Sequence, residues 1–389
     1  MKAGIGISRS KDFQTALQEA YRAALQRLGA LKPELVFLAY TYDYALDTEL
    51  FSKIVQRNLR DVPHFGCSTW SAWSHQEMFD AETGLMVLAL KDLPFPPKFF
   101  KVHSLKEKVD LWSSELGKAL EAEPKVMREQ SLFMVADSIH FNSGKGFERL
   151  RAQHPHLQVF GFGTSFGIPQ STVLLNGEVF SNALVALWMN GFSPWLGLLQ
   201  NIRPEANQIH INRMSENLLI EIDEKPAFYR LCEHLMAEDD LPMMPPDEFR
   251  KHMGNLYIVE KLRREEPMLK AFGEPFRIVS LLGSEMTTGM VAIGDTLDFD
   301  RAHFLGQKKP KYVEEYSRDI LEKLKKEIPN PSLVMTLCST SHFRDSERQI
   351  SDLDLVKEYF PNAVMFGLGT NGEFLGEANQ YSALLAIFP

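Results

Sequence analysis

At three places in this chain an apolar run ends in Phe-Gly and is followed by hydroxyl residues. The copies read FGCSTW at 65–70, FGFGTS at 160–165 and FGLGTN at 366–371. The same elements surround each copy. ELVFLAY (34–40), SLFMVAD (131–137) and SLVMTLC (332–338) are apolar runs of strand length, bounded by polar or turn residues, and they predict buried strands. A helix follows each: Asp47 caps one through Leu59, and others are expected near 147–153 and 350–360. The Phe-Gly turn comes next, and then a closing strand, GLMVLAL (84–90), NALVALW (182–188) or YSALLAIF (381–388). A recurring order of this kind constrains a fold more than any single motif.

The copies are longer and less regular than solenoid repeats. They predict an α/β (α+β mixed) protein of two related halves, each a mixed β-sheet covered by helices. The domains are expected at 1–206 and 207–389. An amphipathic helix over 10–28 opens the first. The second opens on QIHINRM and NLLIEI, two alternating runs joined by SEN, which predict a hairpin. FRIVSLLG and GMVAIGDTLDF continue as strands. MAEDDLPMMPPDEF (236–249) is acidic and proline-rich, as expected of a surface loop or hinge.

The last copy contains a literal GxGxxG, Gly367 to Gly372. A dinucleotide site needs a long helix, a further strand and an acid after that turn. The sequence that follows, EFLGEANQYSALLAIFP, has room only for a turn and one strand. NAD is therefore rejected. No GxxxxGK[ST] occurs, so a P-loop is rejected too, and no cofactor is expected. The net charge of −9 with only short basic runs argues against a nucleic-acid surface. Three scattered cysteines make neither a disulfide framework nor a zinc site. The dispersed histidines lack HExxH or facial-triad spacing, so no metal is expected. Asn182 to Leu199 is the most membrane-like stretch. Asn190, Gly191, Ser193 and Pro194 interrupt it, so it predicts a buried strand and a loop. No secretory signal is read at the N-terminus. A cytoplasmic protein with no membrane contact is expected.

Strand ends are where α/β sheets place ligand crevices. Candidate contacts are Cys67, Ser68, Thr69 and Trp70 in the first turn and Thr164 and Ser165 in the second. The third offers Gly369, Thr370, Asn371 and Glu373, with Asn379 beyond it. Their backbone N–H groups and hydroxyls suit a carboxylate or phosphate. Glu373 suits an amino group. The bland reading of the same glycines is tight chain reversal. Arg344, Arg277 and Arg203 are the cationic candidates near strand ends. Cys67 and Cys338 raise a nucleophile reading, Cys338 with His342 nearby. Buried free cysteine is the commoner state.

HFGCST, INRMSENLLIEIDEKPAFYRL and LCSTSHFRDSE…FGLGTNGEFLGEANQYSALLAIF, in that order and spacing, resemble the FIST family (F-box and intracellular signal transduction). The resemblance covers an N-terminal half from about Lys32 to Glu205 and a C-terminal half to Phe388. It implies a sensory module for a small ligand, amino acids being the proposed class, and binding rather than catalysis. No kinase, cyclase, HAMP-like or F-box segment is recognised, so output is expected to need a protein partner. The alternatives are a protein-interaction scaffold without a ligand and a Cys-dependent hydrolase. The CSTSHFR segment lacks the tighter Cys-x-Gly-Arg form associated with the C-terminal half.

Overall fold

The computed structural model describes residues 1–107, 111–123, 129–143, 145–164, 171–200, 202–238, 256–261, 270–273, 276–285, 287–308, 310–339, 352–375, 378–379 and 382–389. Asp12 caps the first helix, Phe13–Arg27, by accepting from the Thr15 N–H at 2.8 Å. Asp47 caps Thr48–Leu59 through Leu50 N–H at 2.9 Å. The expected central strands form as Leu35–Tyr40, His64–Ser68, Gln130–Ala136, Leu157–Gly163, Leu333–Ser339 and Val364–Thr370. They pair in parallel, first with second within each copy. The closing strands Leu85–Lys91, Ala183–Asn190 and Ser382–Phe388 run antiparallel beside them. These runs are buried on both faces, which explains their unbroken apolar sequence.

The fold is α/β with mixed sheets, as expected, but the repeating unit is smaller than a half. Three sheets each carry one copy of the motif. The hairpin after each Phe-Gly turn leaves its own sheet and joins a neighbour's. Ser71–Trp73 and Met78–Asp80 extend the third sheet beside Val364–Thr370. Val173–Leu175 and Glu178–Phe180 extend the first beside His64–Ser68. Glu373–Leu375 and Ala378–Asn379 extend the second beside Leu157–Gly163. The exchange is cyclic. A strand unforeseen from the sequence, Lys2–Ser8, edges the first sheet, and Lys98–His103 and Trp195–Gln200 stand in equivalent places. The stretch 182–199 is thus parts of two strands in different sheets, with a turn between them.

The inner faces of the three sheets share one core. Phe37 packs on Phe65 and Phe366 with ring centroids 4.8 and 5.2 Å apart, and Phe133 lies 5.8 Å from Phe65. Helices cover the outer faces.

A fourth, antiparallel sheet is inserted into the third copy. It runs Ile202–Ile209, His303–Lys308, Leu256–Lys261, Phe276–Glu285, Met290–Ile293, Leu218–Ile222 and Ile211–Ser215. The expected 211–222 hairpin is present, and Glu216 takes the positive φ its turn requires. The insertion separates Trp195–Gln200 from its partner Ser382–Phe388 in sequence. That separation makes a threefold pattern look like two halves. No break falls at 206/207, where Ile202–Ile209 runs straight through and hairpins from both sides share sheets. The acidic proline segment lies outside the described residues from 239 onward.

Candidate functional site

The three Phe-Gly turns do converge. Ser68 N–H donates to Thr172 O at 2.9 Å, and Thr172 N–H returns to Ser68 Oγ at 2.9 Å. Gly163 N–H donates to Gly372 O at 2.9 Å, and Asn371 N–H to Gly163 O at 3.0 Å. Thr69 Oγ1 reaches Gly369 O at 2.9 Å. Thr69, Thr164 and Thr370 occupy the same place in each copy and are buried. Thr164 Oγ1 is in short contact with Ser171 Oγ. Glu373 is fully buried, with Thr370 Oγ1 2.6 Å from Oε1 and Ser382 Oγ 2.6 Å from Oε2. Burial pushes its carboxyl up to about 8, against the opposing pull of the Ser382 and Thr370 hydrogen bonds, so it keeps its proton at neutral pH.

This meeting point is a packed hub. Its turn groups bond one another, with Ser71 Oγ left buried and unpartnered among the described residues, and three cavities of about 870, 770 and 580 Å³ have other walls. Glu373 therefore does not present a carboxylate to an amino group, as its turn position had suggested. Cys67 is buried among apolar side chains, and burial pushes its thiol up, opposite to what a nucleophile needs. Cys338 is also buried. Trp70 and Asn371 are half-buried at the hub's edge, and Gly369 is buried in its strand. Asn379 pairs through its backbone with Glu373. Ser165 and Arg344 lie outside the described residues.

A polar cleft of about 770 Å³ lies elsewhere, between the second copy and the inserted sheet. One wall follows strand Gln130–Ala136. Asp137, fully buried, accepts from Asn182 N–H at 2.6 Å and Ile139 N–H at 3.1 Å. It also lies 2.8 Å from His140 Nδ1, which fixes that ring at the cleft. Lys145, just before helix Gly146–Gln153, completes this wall.

The other wall grows from strand register. Glu260 stands directly opposite Arg277 on one neighbouring strand and His303 on the other. The row becomes a buried ionic network. Arg277 Nη1 donates to Glu260 Oε2 at 3.1 Å and to Thr296 O at 2.8 Å. Its Nη2 sits 2.6 Å from Asp295 Oδ2 as an ion pair without hydrogen-bond alignment. Arg301 Nη1 reaches Glu260 at 3.2 Å, and its Nη2 pairs closely with Glu148 of the second copy. Burial alone would raise the Glu260 pKa. His303, Arg277, the Asp298 N–H and Arg301 outweigh it and hold the carboxyl down at about 2. Ser143 Oγ donates to Asp295 at 2.5 Å and ties the walls together.

Two charged groups at this cleft have no hydrogen-bond or ion-pair partner among the described residues: Lys145 on one wall and Glu216 on the other. Of the sequence candidates, only Arg277 belongs here. His140 follows the end of strand Gln130–Ala136. The rest was missed. A clue was available in the alternation of FRIVS and LYIVE, which places one charge inward on each strand, but their pairing was not legible.

No group of three or more potential metal-ligating side chains occurs among the described residues. No described helix is long and apolar enough to cross a membrane.

Fold and cleft together define an internally repeated α/β protein with a polar cavity beside an inserted sheet. The FIST N domain profile matches residues 34–225, and the chain belongs to the FIST family. That domain is a sensory module of signal transduction. Its match begins just before the first central strand, Leu35–Tyr40, and ends in the inserted sheet just after hairpin 211–222. Two uncharacterized proteins of Mycobacterium tuberculosis, from strains CDC 1551 / Oshkosh and ATCC 25618 / H37Rv, are each 21% identical to this chain over 398 residues, covering 100% of both.

Proposed function

We propose that this protein is a non-enzymatic sensor whose polar cleft binds a small zwitterionic metabolite of the amino-acid class. The supporting observation is the pair of opposite charges, Lys145 and Glu216, that have no partner among the described residues and lie on facing walls of a cavity of about 770 Å³. Lys145 would take a carboxylate and Glu216 an ammonium group, while His140 supplies a directional polar contact. A few convergent polar groups in a concave site are the usual basis of small-molecule recognition. The network behind Arg277 already pairs its own charges, so it serves as a rigid floor. A cleft built by two different sheets also suits a sensor, because a ligand bridging both walls favours their closed arrangement. The signal would pass to a protein partner in the cytoplasm. A C-terminal FIST half, divided by the inserted sheet, belongs to the same proposal.

The test is a thermal-shift screen of amino acids and organic acids, followed by calorimetry on hits. A ligand that binds the folded state must raise Tm. Lys145→Ala should abolish the response to carboxylate ligands, and Glu216→Ala should abolish discrimination for an amino group. No response across the library, or hits unaffected by both substitutions, would defeat the reading.

A further inference from the structure

A second cavity, of about 870 Å³, lies in the first copy and is independent of the cleft. Its wall is the last turns of helix Thr48–Leu59, which bring Lys53, Arg57 and Arg60 to one groove. Lys53 pairs with Glu49. The side chains of Arg57 and Arg60 make no hydrogen bond or ion pair among the described residues. Asp61 lines the same groove and pairs with neither. The opposite side is the turn of hairpin 173–180, exchanged from the second copy. Asn176 locks it by accepting from His64 N–H at 3.1 Å and donating to His64 O at 2.8 Å. Gly177 packs so closely that a Cβ would stand 2.3 Å from Gln56 Cγ.

His64 lines this groove and is 3% exposed. Its Nδ1 lies 2.8 Å from Val62 O, and a carbonyl can only accept. The proton therefore sits on Nδ1, and because burial lowers the ring's pKa and favours the neutral form, Nε2 is left as a bare acceptor. That atom is buried without a partner among the described residues. Cations at a helix C-terminus are expected for the dipole. The dipole does not account for a cavity of this size or for a buried acceptor at its edge.

We propose that this groove is a second binding site, for a small soluble phosphomonoester, with Arg57 and Arg60 holding the phosphoryl oxygens and His64 Nε2 accepting from the ligand's hydroxyl or protonated phosphate oxygen. Forked guanidiniums match phosphoryl oxygens geometrically. A phosphomonoester also carries a proton over part of the neutral range, its second pKa being about 6, which gives it the donor that a sulfate lacks. The exchanged hairpin makes the site span two copies of the repeat, so occupancy would fasten the second copy to the first.

The test is calorimetry and thermal shift on the full chain with inorganic phosphate and glycerol 3-phosphate, against sulfate and chloride at matched ionic strength. Both phosphates should raise Tm in a dose-dependent way, and sulfate should bind distinctly more weakly. The exposed double variant Arg57→Ala/Arg60→Ala should fold normally and bind at least about tenfold more weakly. Lys145→Ala, in the other cavity, should bind phosphate like wild type. Equal binding of sulfate and phosphate, no binding of either phosphate, or undiminished binding by the double variant would overturn the proposal. His64→Phe separates charge from acceptor: it should lose the preference for phosphate over sulfate, and retention of that preference would also overturn it.

Discussion

The hub and the cleft make opposite uses of buried polar groups. At the hub three repeated turns close on one another, and a protonated Glu373 is held by two hydroxyls. At the cleft an ionised Glu260 is held by two arginines and a histidine, beside a cavity. The hub comes from the repeat, whereas the cleft arises where the repeat is interrupted. The comparison teaches that the recurring glycine motif specifies architecture and that the interruption supplies the chemistry.

The sharpest way to break this comparison is to add a side chain at the hub. Gly161 has φ +149, and a Cβ there would stand 1.9 Å from Met134 O on the paired strand. Its counterparts Gly66 and Gly367 are equally crowded, by Leu38 O and the Trp73 indole at 2.0 and 1.8 Å. Gly161→Val should cost about 4 kcal/mol or more. Urea denaturation measures it, and a loss below about 1 kcal/mol would mean that the turn is not a packing constraint. Next in size is Glu260→Ala, which leaves Arg277 and Arg301 short of a buried counter-charge and should cost about 3–5 kcal/mol.

Much of the hub was legible in the sequence. Apolar runs, Asp47 and the Phe-Gly spacing express local preferences, and local structure follows them. The threefold cycle was half legible: three copies were visible, but hairpin exchange is a long-range choice of sheet edge, and the insertion hid the third copy's first strand. The cleft was nearly illegible. Its central row, Arg277, Glu260 and His303, exists only once three strands are in register. Single charges in apolar runs do not announce which strand they will face.

The two carboxyls should also titrate in opposite senses. Glu373 has a folded pKa near 8, above its ordinary 4.5. The folded state thus holds the extra proton between those values, and stability falls as pH rises through that window, by at most about 1.4 kcal/mol per unit. Glu260 is held near 2, below 4.5, so its contribution is present above 4.5 and is lost as pH falls toward 2. Glu373→Gln should remove the alkaline decline while leaving the acid limb intact. Near pH 5 its cost should stay within about 1 kcal/mol. Urea midpoints from pH 3 to pH 9 decide this. An unchanged alkaline slope would show that Glu373 is not the group that titrates.

The smallest expected effect on stability is the most informative about function. Lys145 is exposed and has no side-chain partner among the described residues, so Lys145→Ala should change stability by no more than about 0.5 kcal/mol. If the cleft is a binding site, the same substitution should weaken a carboxylate ligand by about tenfold, the loss of one charge-assisted hydrogen bond. A Gly161 variant would show the reverse order, with stability falling first and affinity only as the folded population declines. That dissociation separates a residue selected to bind from one selected to pack. Calorimetry on the two folded variants, at a temperature where both are native, reads it directly. Should Lys145→Ala lose stability and affinity in proportion, the cleft would be as structural as the hub.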